Sequence, residues 1–137
     1  MSKRILIVGG TGKIGQAVVH DLASFTDAEL ILAGRNRTHG EAVAQQFGAR
    51  ARFAALDLDR ASVDDLRQQL TEVDLALQCV GPFRSRPPTL LQAAIAAGVN
   101  YVDVCDDRGG TQQRLQMDAA AKAAGVTALI DTGTFPG

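Results

Sequence analysis

Aromatic side chains are scarce in this chain, which has no Trp, one Tyr and five Phe among its 137 residues. The stacking platform of a single-strand RNA binder and the aromatic belt of a membrane protein both need more of them. Cysteine is nearly as rare. Cys79 and Cys105 lie in separate apolar runs without C-x-x-C spacing, so neither a disulfide framework nor a metal site is expected. A charge excess is missing too: 14 basic residues face 15 acidic ones, which excludes the Lys/Arg surplus of a nucleic-acid binder. Long hydrophobic runs are also lacking. After Met1-Ser2-Lys3-Arg4 only Ile5 to Val8 precede the first glycines, whereas a secretory leader needs ~7–15 apolar residues and a spanning helix ~20. The expectation is a soluble, cytoplasmic protein with a small-molecule substrate and no membrane or nucleic-acid partner. Nothing in the composition excludes a homo-oligomer.

What is present is core material. Hydrophobic residues make up 46% of the chain, enough for one globular domain over residues 1–137. Short apolar runs occur at Arg4–Val8, Glu29–Ala33, Ala51–Ala55, Leu75–Cys79, Tyr101–Cys105 and Thr127–Ile130. Runs of this kind, with little polar alternation, are how parallel strands buried on both faces read. Amphipathic stretches lie between them: Gly12–Ala23, Thr38–Phe47, Ser62–Leu70, Pro87–Ala97 and Thr111–Ala124. Ser62 and Asp65 form a capping-box pattern, and Gly48, Gly98 and Gly125 stand where helices end. Right-handed crossovers then predict an α/β fold, a doubly wound parallel six-stranded sheet in the Rossmann order 3-2-1-4-5-6. The sequence closes on Asp131-Thr132-Gly133-Thr134-Phe135-Pro136-Gly137, straight after the last apolar run. A substrate-binding domain beyond these residues is therefore expected.

The glycines after the first strand carry the chemistry. Gly9-Gly10-Thr11-Gly12-Lys13-Ile14-Gly15 satisfies G-x-G-x-x-G, and also a one-residue-longer form that begins at Gly9. Gly9 suits a tight turn, Gly12 a close backbone approach to pyrophosphate, and Gly15 helix-to-strand packing. The loop and the helix start would then face a diphosphate. The alternative is a glycine turn that binds nothing.

At the end of the second strand, Ala33-Gly34-Arg35-Asn36-Arg37 lacks the acid that accepts from the ribose 2′-hydroxyl in NAD sites. Glu29 lies at the wrong end of the strand, and Glu41 inside the next helix. Arg35 offers a planar donor fork for a 2′-phosphate, with Arg37 as a second cation. NADP is thus expected over NAD; the alternative is a pair of solvated loop arginines. Asp57 either accepts from the adenine amino group or belongs to the turn before Ser62. Gly81 and Pro82 would border the ribose and nicotinamide side, or merely lead into the next helix. Cys105 and Asp107 are expected at the crevice rim as catalytic candidates; a half-buried thiol and a helix-approach carboxylate are the alternatives. His20 and His39 are expected on the side away from the crevice. The sole tyrosine, Tyr101, is followed four residues later by Cys105, so the Tyr-x-x-x-Lys proton relay of ordinary short-chain dehydrogenases is excluded. No G-x-S-x-G elbow supports a serine hydrolase either.

Val8 to Gly15, Leu32-Ala33-Gly34-Arg35-Asn36, Val80-Gly81-Pro82-Phe83, Gly98 to Asp103 and Phe135-Pro136-Gly137 together resemble the NADP-binding domain of the saccharopine dehydrogenase family. The resemblance runs over essentially the whole chain. It implies NADPH held on Gly9, Thr11, Gly12 and Arg35, with Gly81 and Phe83 bordering the nicotinamide. Gly10, Lys13, Ile14, Gly15, Asn36, Arg37, Asp57, Val80 and Pro82 complete the candidate cofactor contacts. It implies hydride exchange between the nicotinamide and the carbon of an imine or secondary amine of amino-acid type. Many members carry a Gly-Glu pair where this chain has Asp106-Asp107. The competing expectation is an NADP(H)-sensing binding module of the atypical short-chain dehydrogenase type. The isolated chain is expected to bind cofactor with little turnover.

Overall fold

The computed structural model describes residues 2–133. The Phe135-Pro136-Gly137 motif lies outside them. The described residues form six parallel strands in the order β3-β2-β1-β4-β5-β6: β1 (Arg4–Val8), β2 (Glu29–Gly34), β3 (Ala51–Ala55), β4 (Leu75–Gln78), β5 (Asn100–Asp103) and β6 (Ala128–Leu129). The intervening helices are α1 (Lys13–Phe25), α2 (Arg37–Gln45), α3 (Val63–Gln69), α4 (Thr89–Ala97), α5 (Arg108–Leu115) and α6 (Asp118–Ala123). This is the expected Rossmann order.

Successive side chains of a strand point to opposite faces, and the core divides accordingly. Leu6, Val8, Ile31, Ala33 and Ala76 pack with Leu66 and Leu70 of the α3 region and Leu90, Leu91 and Ala94 of α4. Ile5, Ile7, Leu30, Leu32 and Leu77 pack on the other face with Val19 of α1 and Val43 and Ala44 of α2. β1 is flanked on both sides, by β2 in the register Val8↔Ala33 and by β4 in the register Val8↔Gln78. The strand order reverses beside β1, which opens the crevice at the carboxyl ends where such folds bind ligands.

Local chemistry sets the helix ends. Ser62 caps α3: its hydroxyl accepts from Asp65 N at 3.1 Å, and Asp65 Oδ2 accepts from Ser62 N at 2.9 Å. Gly98 ends α4 in the left-handed region, at φ 70°.

Two elements differ from expectation. The fifth strand stops at Asp103 rather than Cys105, because the Asp103 carboxylate takes the Cys105 N–H at 3.1 Å and turns the chain off the ladder. The helix expected over 111–124 starts three residues earlier, capped by Asp107, and breaks in two at Gln116-Met117. Met117 N bonds Arg114 O at 3.0 Å, a tightened last turn that ends α5 without any Gly or Pro.

Candidate functional site

The crevice begins at the first turn. Gly9 N donates to Ala33 O at 2.8 Å, and Gly12 N donates back to Gly9 O at 3.1 Å. Gly9 stands at φ +85°, in the left-handed region open to glycine. A Cβ on Gly15 would overlap the Gly9 carbonyl, so α1 sits against the strand end as only glycine permits. Gly12 caps α1 without a side chain to bond the helix. The N–H groups of its first turn, at Lys13, Ile14 and Gly15, have no intrahelical acceptor there, and the positive end of the helix dipole is presented to the crevice.

Thr11 O accepts from Gln16 Nε2 at 2.8 Å and lies 3.1 Å from His39 Nε2. His39 thus leans on the glycine-rich loop and not on the far side of the domain, a correction to the sequence expectation. The cause is Asn36, whose Oδ1 accepts the His39 N–H at 3.0 Å and aims the first turn of α2 at that loop.

A cavity of about 230 Å³ follows, walled by Gly9, Thr11, Gly12, Gly34, Arg35, Asp57, Asp59 and Arg86 among others. Arg35 is exposed on this wall and has no acidic partner among the described residues. Arg37 is engaged elsewhere, 2.9 Å from Glu41 and 5.6 Å over the Phe53 ring. Asp57 both lines the cavity and holds the turn, its Oδ1 accepting Asp59 N at 3.0 Å. Arg86, which the sequence reading missed, reaches Asp59 Oδ1 at 2.8 Å and Gly81 O at 3.3 Å. Its Nε is buried without an acceptor among the described residues.

Gly81 is shared with a second cavity of about 340 Å³, walled by Ile14, Cys79, Pro82, Phe83, Arg84, Val104, Asp106 and Asp107. The Gly81–Pro82 peptide is cis. Val80 touches the first cavity from the same loop. Burial pushes the Cys79 thiol up to about 12. Cys105, expected at the rim, is fully buried: Gly110 stands against its sulfur, which lies 3.6 Å from Thr111 Oγ1. Asp107 does reach the cavity wall, while its Oδ1 caps α5 by accepting Gly110 N at 2.7 Å. Among the described residues no group of three or more His, Cys, Asp or Glu could hold a metal ion.

Together the two cavities fall in the ~300–1,000 Å³ range of ligand pockets. An uncapped helix start, a nearby unpaired arginine and the orphaned Arg86 Nε suit a phosphorylated dinucleotide, whose anionic groups would supply the missing acceptors.

Residues 5–129 match the family described as the saccharopine dehydrogenase NADP binding domain. The chain belongs to this family. It is 32% identical over 111 residues to a probable mitochondrial saccharopine dehydrogenase-like oxidoreductase of Arabidopsis thaliana, covering 73% of this chain and 24% of that protein. It is 33% identical over 116 residues to human carbonyl reductase [NADPH] 1, covering 74% of this chain and 42% of that one. Saccharopine dehydrogenase (L-Glu forming) of Saccharomyces cerevisiae shares the fold, with a TM-score of 0.77 at 21% identity over 96% of this chain and 27% of that one. The chain therefore spans between a quarter and a half of the curated relatives it matches. The chain is thus an NADP(H)-binding Rossmann domain of the saccharopine dehydrogenase family. No helix among the described residues is long and apolar enough to cross a membrane.

Proposed function

We propose that this chain is the NADPH-binding part of an oxidoreductase acting on the carbon–nitrogen bond of an amino-acid-type substrate. NADP(H), when held in the crevice by Gly9, Gly12 and Arg35, would supply the hydride that reduces an imine to a secondary amine as a proton reaches the nitrogen, or would take it in the reverse direction. The chain's own residues bind and orient. The α1 start and the loop of Gly9 to Gly15 hold the diphosphate, Arg35 takes the 2′-phosphate, and the Val80-to-Phe83 loop with Asp106 and Asp107 walls the nicotinamide end. Catalysis of this type rests on holding the two reacting carbons in near-attack geometry. A second domain supplies the substrate contacts and excludes water.

The observation that carries the cofactor assignment is Arg35 standing without an acidic partner on the crevice wall, at a strand end that has no acid for a ribose hydroxyl. The carbon–nitrogen chemistry is supported by the kinship with the saccharopine dehydrogenase-like oxidoreductase. The test follows NADPH absorbance with pairs of 2-oxo acids and amino acids. The chain alone binds NADPH with little turnover, and the chain joined to a substrate domain oxidises it. Rapid amino-acid-dependent oxidation by the chain alone contradicts the division of labour.

A second reading, an NADP(H)-sensing module, is favoured by one observation. Tyr101 and Cys105 are both fully buried, so neither the hydroxyl nor that thiol reaches the wall of the second cavity. A sensor binds NADP and NADPH with clearly different affinities and shows no turnover with any added domain.

A further inference from the structure

Beneath the nicotinamide-side cavity lies a buried polar cluster that the cofactor contacts do not use. The Arg114 and Asp103 side chains are both wholly inaccessible, with Arg114 Nε 3.3 Å from Asp103 Oδ2. Tyr101 Oη lies 2.8 Å from the same carboxylate oxygen and 3.2 Å from Gln78 Oε1. Gln78 Nε2 in turn donates to Val80 O at 3.1 Å. The other Asp103 oxygen accepts from Cys105 N at 3.1 Å and Asp131 N at 3.0 Å. Arg114 also donates to Gly110 O at 3.2 Å and covers the Phe83 ring, its Cζ 5.0 Å from the centroid.

Apart from the Arg114 bond to Gly110 O, which lies within α5, these bonds end at or just beyond the carboxyl edge of β4, β5 or β6. Stability alone does not account for the arrangement. A buried ion pair is often no more stabilising than apolar residues of equal volume. Moreover, Arg114 Nη2 has no acceptor among the described residues, and Nε meets Asp103 as an ion pair without a hydrogen bond; an unmade buried bond costs about 1–3 kcal/mol in general. What a satisfied carboxylate hub does provide is a fixed geometry for the loops it joins.

We propose that Arg114 and Asp103, with Tyr101 and Gln78, are positioning residues that hold the Val80-to-Phe83 loop and the 105–107 segment in register as the wall of the nicotinamide end. Arg114 acts through the Phe83 ring, and Tyr101 through Asp103 on the 105–107 segment. The glycine-rich loop and Arg35 stand at the ends of β1 and β2 and make no bond to the cluster, although Val80 and Gly81 also touch their cavity. This inference rests on the reading of the crevice as an NADPH site.

The test titrates the wild type, Tyr101→Phe and Arg114→Met with NADPH and with 2′-phospho-ADP-ribose, which shares the adenosine end and lacks the nicotinamide. The variants weaken NADPH roughly five- to thirtyfold, as loss of one or two buried hydrogen bonds implies, and reduce the fluorescence gain of the bound dihydronicotinamide. Their affinity for 2′-phospho-ADP-ribose stays within about twofold of wild type, since no bond to Arg35 or to the glycine-rich loop is lost. Equal losses for both ligands, or none for either, overturn the proposal. Should Arg114→Met fail to fold, Tyr101→Phe carries the test alone, because it keeps the ring and removes one hydroxyl. A wild type that binds 2′-phospho-ADP-ribose but gains nothing from the nicotinamide also overturns it. A wild type that binds neither removes the underlying reading of the crevice.

Discussion

Arg86 Nη1 stands 2.8 Å from Asp59 Oδ1, and through that pair the loop after β4 is fastened to the loop after β3 beside the cavity walled by Gly9, Gly12 and Arg35. The pair is asymmetric in exposure: the Arg86 side chain is 15% exposed and that of Asp59 54%. Partial burial screens it less than an ordinary surface pair, whose worth is about 0–1 kcal/mol.

Arg86→Ala should weaken NADPH and NADH together, roughly two- to tenfold for a contact of this strength. Its signature is an unchanged preference between the two nucleotides. Titration of both against the variant checks it, and a selective loss of NADPH would move the 2′-phosphate assignment from Arg35 to Arg86.

Arg35→Asp should invert that pattern. Removing a charge-assisted contact and adding a repelling carboxylate costs on the order of 1.5–3 kcal/mol, about ten- to a hundredfold, for NADPH alone. NADH should hold its affinity or gain, since the new acid can accept from a ribose hydroxyl. The ratio of the two dissociation constants is the measurement.

Gly15→Ala tests the fit of α1 against the strand end. Its methyl has no room beside the Gly9 carbonyl, and backbone cannot yield as a side-chain tip would. Overpacking of this kind costs about 1–3 kcal/mol, seen as a lower Tm, together with loss of NADPH binding as the phosphate loop is displaced. Gly48→Ala has open space around its Cβ but a φ of +76°. It should lower Tm slightly and leave NADPH affinity untouched.

Cys79 gives a pH prediction. Burial raises its thiol from 9.0 to about 12, so the folded protein keeps the proton that the unfolded chain loses. Its contribution to stability is complete below pH about 9 and declines as pH rises toward 12, by up to about 1.4 kcal/mol per unit. Chemical denaturation of wild type and Cys79→Ala at several alkaline pH values should show a shallower decline for the variant. Near neutrality, alkylation of Cys79 should be slow, because the thiolate is the reactive form.

The sheet order was legible in the sequence because it rests on local signals, and so was the placing of Gly9, Gly12 and Arg35 on one cavity wall and of Gly81, Pro82 and Phe83 on the next. The apolar runs, the Gly9-to-Gly15 spacing, the acid-free end of β2 and the Ser62–Asp65 cap each operate within a few residues. The parts that were not legible depend on tertiary geometry. Asp103 reads as one polar residue in an apolar strand, and Arg114 as an ordinary helix arginine; only folding brings them together beneath Phe83. His39 was misplaced because the direction of the first turn of α2 depends on Asn36 capping it. Arg86 sits three residues beyond Phe83 and was missed, because its reach to Asp59 comes only with folding.

Isothermal titration of the chain with NADPH and with NADH tests the central assignment most directly. The account predicts one site per chain with NADPH bound at least about tenfold more tightly, the difference that a guanidinium contact to the 2′-phosphate supplies. Equal affinities, or no heat from either nucleotide, would contradict it.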